Sequence, residues 1–281
     1  MHIGSHEHKE LFCRSFIESH EAYEPKDLPW PELDSRSLEI LRSIPVWTTA
    51  VQVEVNAGGM IGEFANTQPD PLIAQALRLQ GYEEDRHSRM LKELISHYDL
   101  PATVEPPQLT ATRRAFIDFG YHECLDSFFG FGIFKIAHEV QFMPESLMSL
   151  FARVMWEEAR HIVFFVNWIS YERAIRGYGA RPLQVLPTAI GYARAVKKNI
   201  GRAGETKLED KGMLAVGDIF SDLTLARFLR TCLSENDKYM SRFHQDLVQP
   251  RVVPSIARSL LRMLETGETL QAAFRSALAR T

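Results

Sequence analysis

Glu83-Glu84-Asp85-Arg86-His87 decides how the chain is read, because Glu157-Glu158-Ala159-Arg160-His161 writes it again 74 residues later. Both copies are Glu-Glu-x-Arg-His, and both stand in stretches that read as helix. A carboxylate and an imidazole three residues apart lie on one helix face, about one turn from each other. Two such helices packed face to face bring two carboxylates and two imidazoles together, the side-chain set that a pair of first-row metal ions requires. A single Glu-x-x-His is common on solvated helix faces; repetition of the leading Glu and of the Arg lifts this pattern above that background. Glu83–His87 and Glu157–His161, four residues apart, also share a face, so spacing alone does not say which acid of each pair faces a metal.

Around the two copies the chain reads as all-α. There is no sustained alternation of the kind strands show and no hairpin signal. Four long antiparallel helices are expected: about 46–66, about 70–97, a third from about 110 that is interrupted or bent between Phe128 and Phe142, and a fourth over about 144–176. The breaks are Asn66-Thr-Gln-Pro-Asp-Pro71, the prolines at 101, 106 and 107, Pro144, and Gly177-Tyr-Gly179. Residues 1–44 read as short helices and a strap, with a Pro-rich aromatic stretch at 23–31 lying against the bundle. His2, His6 and His8 are expected on a mobile terminus. Residues 45–180 form the bundle. Residues 181–281 add a helical extension packed on it, with a loop at Gly201-Arg-Ala-Gly-Glu-Thr206 and helices near 216–245 and 254–279.

Composition narrows the function classes. The 281 residues are enough for a sizeable core, and 45% hydrophobic with 24% charged residues is ordinary for a globular protein. A net charge of −4 gives no reason to expect a nucleic acid or an anionic membrane as partner. Cys13, Cys124 and Cys232 stand far apart, which excludes a Cys-x-x-Cys metal site and suggests a reducing compartment. With no signal-peptide core and no bilayer-length apolar run, the expected location is the cytoplasm.

Two divalent ions carry four positive charges, and burying them calls for about four carboxylates. The repeats supply two; the other two long helices should supply one each at matching depth. Helices one and two reverse near Pro69. Glu84 lies 15 residues beyond that point and Glu54 15 before it, so equal rise puts them side by side, whereas Glu63 sits too near the turn. In the second half the count is less clear. Glu158 lies 14 residues past Pro144, and symmetry points near Gly130, which offers no ligand. Glu123 falls about two turns too deep on an unbroken helix and Glu139 too shallow. A helix loosened at Gly130 and Gly132 would bring Glu123 to the right level.

Over about residues 46–176 the chain resembles the ferritin-like di-iron carboxylate superfamily, and its oxygenase and acyl-carrier-protein desaturase branches more than ferritin itself. The family pattern is a Glu on one helix and Glu-x-x-His on the next, then both again. The resemblance implies Glu54, Glu84, His87, Glu123, Glu158 and His161 as metal ligands. It prefers Glu123 to Glu139, because the intervals of 30 and 35 residues fit the family and 19 does not. It also implies that Glu83 and Glu157 accept hydrogen bonds from the ligand histidine of the opposite helix, with Arg86 and Arg160 holding those acids ionised.

A ferritin-like four-helix bundle with added N- and C-terminal helices is therefore the expected fold. The expected function is an O2-dependent non-haem di-iron oxidoreductase of the monooxygenase kind. It would carry two Fe, or Mn at one position, with O2 as co-substrate and no catalytic group beyond the ligands. Its partners would be a small organic substrate, an external electron donor and, for the chain itself, a homodimeric copy. Hydroxylation, desaturation and N-oxygenation stay open. Leu91 stands where a radical-generating subunit has a Tyr, and Val154 where the arylamine N-oxygenases have an additional His. The alternatives are a ferroxidase-like or non-redox metal-binding protein and a helical interaction protein. The substrate pocket is expected between Phe128-Phe-Gly-Phe-Gly-Ile-Phe134 and Ala57-Gly-Gly59.

Overall fold

The computed structural model describes residues 1–44, 46–108, 110–178, 181–205 and 223–278. Among them the regular structure is helical throughout: α1 His6–Glu18, α2 Ser35–Ser43, α3 Trp47–Asn66, α4 Pro71–Tyr98, α5 Arg113–Glu139, α6 Glu145–Ile175, α7 Arg181–Glu205, α8 Leu225–Met240 and α9 Val252–Leu278, with a 3-10 turn at Pro25–Asp27. No described helix is long and apolar enough to cross a membrane.

Local chemistry sets the ends of the long helices. Asp70 caps α4 by accepting from the Leu72 and Ile73 N–H groups, and Pro71 occupies the first turn, where its missing N–H costs nothing. Thr112 caps α5 through the Ala115 N–H. Pro144 stands one residue ahead of α6 rather than inside it. Helix α3 packs along α4, α5 along α6, α3 against α5 and α4 against α6, so these four enclose a common interior. Helix α1 lies on α4 and α6, while α7, α8 and α9 pack on α5.

Glycine permits the closest of these approaches. A Cβ on Gly58 would stand 2.8 Å from the Asp85 backbone nitrogen, and one on Gly81 2.9 Å from that of Gly62, so α3 and α4 touch backbone to backbone beside the first Glu-Glu-x-Arg-His. On α5, a Cβ on Gly132 would meet Cys232 Sγ at 2.2 Å. Gly58, Gly81 and Gly132 thus serve helix contact, and the cavity beside Glu123 is lined by Ala57 but by none of residues 128–134. Phe128 and Phe131 are buried core, and the Phe129 ring stacks on Phe228 of α8.

Three further expectations change. Helix α5 runs unbroken through Gly130 and Gly132. Residues 201–205 continue α7 instead of forming a loop. His8 is no part of a mobile tail: it is buried in α1, Nε2 3.1 Å from Asn167 Oδ1, with Nδ1 accepting from the Gly4 N–H. Gly179 and residues 216–222 lie outside the described residues.

Two apolar clusters divide the interior. One gathers Ile61, Phe64, Leu77, Phe116 and Trp168; the other Leu41, Met90, Leu94, Leu147 and Leu150. Between Leu77 and Met90, α4 buries Gln80, Glu83, Glu84, Arg86, His87 and Ser88 instead. Hydrocarbon on either side and a charged layer in the middle is an arrangement that the layer must justify by its own pairing.

Candidate metal centre

Helices α4 and α6 bring the two copies of Glu-Glu-x-Arg-His face to face. The His87 and His161 ring centroids are 5.5 Å apart. One donor atom from each of Glu84, His87, Glu158 and His161 lies within 4.8 Å of the others, and all four residues are buried. A buried group of two carboxylates and two imidazoles at this spacing can hold a metal ion.

The outer acids orient the rings crosswise. His87 Nε2 is 2.8 Å from Glu157 Oε2 on the opposite helix, and His161 Nε2 is 2.9 Å from Glu83 Oε2. With each Nε2–H donating to a carboxylate, each Nδ1 faces inward. There His161 Nδ1 lies 3.0 Å from Glu84 Oε1 and His87 Nδ1 3.1 Å from Glu158 Oε1. The choice that helical spacing left open is thereby made: Glu84 and Glu158 face the interior, and Glu83 and Glu157 stand behind the rings.

Arg86 and Arg160 complete the pairing. Arg86 Nη2 donates to Glu157 at 2.6 Å, and Nη1 donates to the Glu21 and Tyr23 carbonyls. Arg160 donates to Glu83 at 2.7 Å, to Ser19 Oγ at 2.9 Å and to the Phe16 carbonyl. Burial opposes ionisation of Glu83, but the hydrogen bond from His161 and the charges of His161 and Arg160 outweigh it and hold the carboxyl well below its usual range.

Two partners of these acids have no signal in the sequence. His20 Nδ1 is 2.6 Å from Glu83 Oε1, and the Tyr23 hydroxyl donates to Glu157 Oε2 at 3.3 Å. Both sit at the end of α1 and the start of the strap, and neither belongs to a repeat or a periodic face.

The remaining acids flank the cluster. Glu54 Oε2 on α3 is 3.7 Å from His87 Nδ1. Glu123 on α5 lies beside Glu158. Glu139 is elsewhere, on the surface beside Lys135 and Arg227. Glu123 reaches the site without any break in α5 because the chain reverses at about residue 142, midway between the helix ends, and not at Pro144. From there Glu123 is 19 residues back and Glu158 16 forward, a mismatch of about 4.5 Å in rise that two Glu side chains span.

Charge at the site is unbalanced without cations. Burial pushes Glu54 up to about 8, with the Glu84 carboxylate adding to the shift. Burial, then the carboxylates of Glu158 and Glu84, push Glu123 well above the usual range. For His161 burial works the other way, but Glu84 and Glu83 overcome it and raise the imidazole to about 10. Protons thus occupy a place where four carboxylates demand positive charge. His87 Nδ1, His161 Nδ1 and Glu158 Oε2 are moreover buried without a hydrogen-bond partner. Each such atom costs about 1–3 kcal/mol, and three converging on one point fit a divalent ion as the missing partner.

Comparison with family models, curated proteins and solved structures finds no match.

Proposed function

We propose that α3–α6 form a ferritin-like four-helix bundle holding two iron ions, and that the chain is an O2-dependent non-haem di-iron oxidoreductase acting on a small organic substrate. One observation carries this: two buried imidazoles, each pinned at Nε2 by the acid of the opposite helix, turn unpartnered Nδ1 atoms toward buried carboxylates. Glu54, Glu84 and His87 would hold one ion, and Glu123, Glu158 and His161 the other. Glu84 and Glu158 each lie near both rings. Either iron or a mixed Mn/Fe pair suits this donor set.

A ferrous pair bound there supplies the electrons for activating O2 toward hydroxylation, desaturation or N-oxygenation. The chain's own contribution is positioning and exclusion of water. Glu83 and Glu157 fix the imidazole tautomers, and Arg86 and Arg160 keep those acids ionised. Apolar layers on both sides keep bulk water from Glu84, His87, Glu158 and His161. Glu123 lies in the wall of a cavity, the route by which a substrate reaches the centre. An external electron donor would return the ions to the ferrous state.

Anaerobic titration with ferrous iron followed by exposure to O2 tests the proposal. Two irons per chain and a transient optical absorption on oxygenation are expected. Uptake of many irons per chain would indicate storage instead, and uptake of none would remove the metal assignment altogether.

A further inference from the structure

The inner layer of the centre is close to two-fold symmetric. Glu84 Oε1 is 3.0 Å from His161 Nδ1, and Glu158 Oε1 is 3.1 Å from His87 Nδ1. The longer pair, Glu84 Oε2 to His87 Nδ1 and Glu158 Oε2 to His161 Nδ1, measures 3.7 and 3.9 Å. Glu83 and Glu157 meet the rings at 2.9 and 2.8 Å and the arginines at 2.7 and 2.6 Å. The offset between the two copies carries each of these residues onto its counterpart.

One turn earlier the correspondence fails. Four residues ahead of Glu84 stands Gln80, and four ahead of Glu158 stands Val154. Residues four apart share a helix face, so each occupies the place beside the inner carboxylate of its own copy. Val154 is partly buried against the apolar cluster of Met90 and Leu150. Gln80 is only 1% exposed. Its Nε2 donates to Glu84 Oε1 at 3.5 Å, and its own Oε1 is buried without a partner. A buried amide with one long hydrogen bond is less favourable there than an apolar side chain of similar size, such as its buried neighbour Leu77. What the amide adds over such a residue is its contact with Glu84. Among the described residues no amide does the same for Glu158, whose Oε2 is buried without a partner.

We propose that Gln80 is a positioning residue that makes the two halves of the centre unequal: it holds the Glu84 carboxylate in place, has no counterpart beside Glu158, and gives the half built on Glu54, Glu84 and His87 the higher ion affinity. Oε1, the oxygen beside His161, is the one that Gln80 engages, which leaves Oε2 toward His87. A ligand carboxylate already held by a hydrogen bond loses less freedom on binding an ion than one that is not. This deepens the two-ion reading and rests on it.

The desalted, metal-free full chain is titrated calorimetrically with Mn(II), and metal content and thermal unfolding are measured on the same samples. The wild-type chain should take two ions in two resolved steps. Gln80→Leu is close in size and removes the amide. Its tighter step should weaken about 10-fold or more while the other moves by less than about two-fold. Its metal-free form should unfold no earlier than the wild type, because the variant also removes an unpartnered buried oxygen. Gln80→Asn keeps an amide but draws it back by one methylene, and should weaken the tighter step in the same way. Two ions that bind alike in the wild type, or two steps that both weaken alike or both stay unchanged in the variants, overturn the proposal and leave the two-ion reading standing. An earlier unfolding of metal-free Gln80→Leu with both steps intact shows a packing role only and overturns it too. Uptake of one ion or none by the wild type refutes the two-ion reading and the proposal with it.

Discussion

Glu158→Gln is the substitution that tests the centre most directly. Glu158 Oε1 is 3.1 Å from His87 Nδ1 and its other oxygen 3.9 Å from His161 Nδ1, so this carboxylate faces both half-sites. The amide keeps the volume and removes the charge. Each ion supplied at about 100 times its dissociation constant stabilises the folded state by about 2.7 kcal/mol. A chain of 281 residues has an unfolding entropy of about 0.6 kcal/mol per kelvin, so each ion raises Tm by about 4.5 °C and two by about 9 °C. In the variant the metal-dependent rise should fall to about 4.5 °C or less, with one ion or none per chain. The assay is thermal unfolding with and without Mn(II) or anaerobic Fe(II), alongside elemental analysis of desalted protein. Glu139→Gln, on the surface beside Lys135, is the control and should change neither quantity. Two ions per chain and an undiminished rise in Glu158→Gln would refute the ligand assignment.

Other outcomes follow from the same geometry. Glu157→Gln leaves the buried Arg86 guanidinium with Glu83, at 3.9 Å, as its remaining carboxylate and should cost about 3–5 kcal/mol in urea unfolding, with metal affinity about 10- to 100-fold lower; a loss under 1 kcal/mol would show that Glu83 and the Glu21 and Tyr23 carbonyls suffice for Arg86. Gly58→Ala gains about 1 kcal/mol of helix propensity but drives a Cβ to 2.8 Å from backbone, at about 1–3 kcal/mol, so a net loss of stability is expected and a gain would mean that α3 and α4 separate freely. In the metal-free protein Glu54 is raised to about 8 and His161 to about 10, so the folded state binds more protons than the unfolded chain. These two groups should therefore make the metal-free protein less stable as pH rises from about 6 to 9, whereas metal affinity should increase over the same range because the ions displace those protons. Titration calorimetry in buffers of different ionisation enthalpy measures the protons released; none released at pH 7 would contradict it.

The helical architecture was legible because its signals are local. Apolar spacing and the breaks at Asn66-Thr-Gln-Pro-Asp-Pro71 and Pro144 are read within a few residues, and the structure places α3, α4 and α6 within a residue or two of expectation. Depth along helices was legible only where the turn was. The loop between α3 and α4 is short and centred near Pro69, so Glu54 was matched to Glu84 by counting. Between α5 and α6 an error of two residues in the reversal point changed the apparent mismatch from two turns to less than one. Gly58 and Gly132 misled for another reason: small residues open a pocket or admit a neighbouring helix, and only the neighbour's position distinguishes the two.

What the sequence by itself determined is that an acid and an imidazole share a face on each of two helices, because an α-helix repeats every 3.6 residues wherever it is placed. Which acid of each pair turns inward, and that each histidine is held by the other helix's acid, only the tertiary structure decided. Those pairings join residues 70 and 78 positions apart, and no local periodicity reaches that far. The same holds for His20 and Tyr23, which meet the centre only because α1 and the strap fold back across α4 and α6.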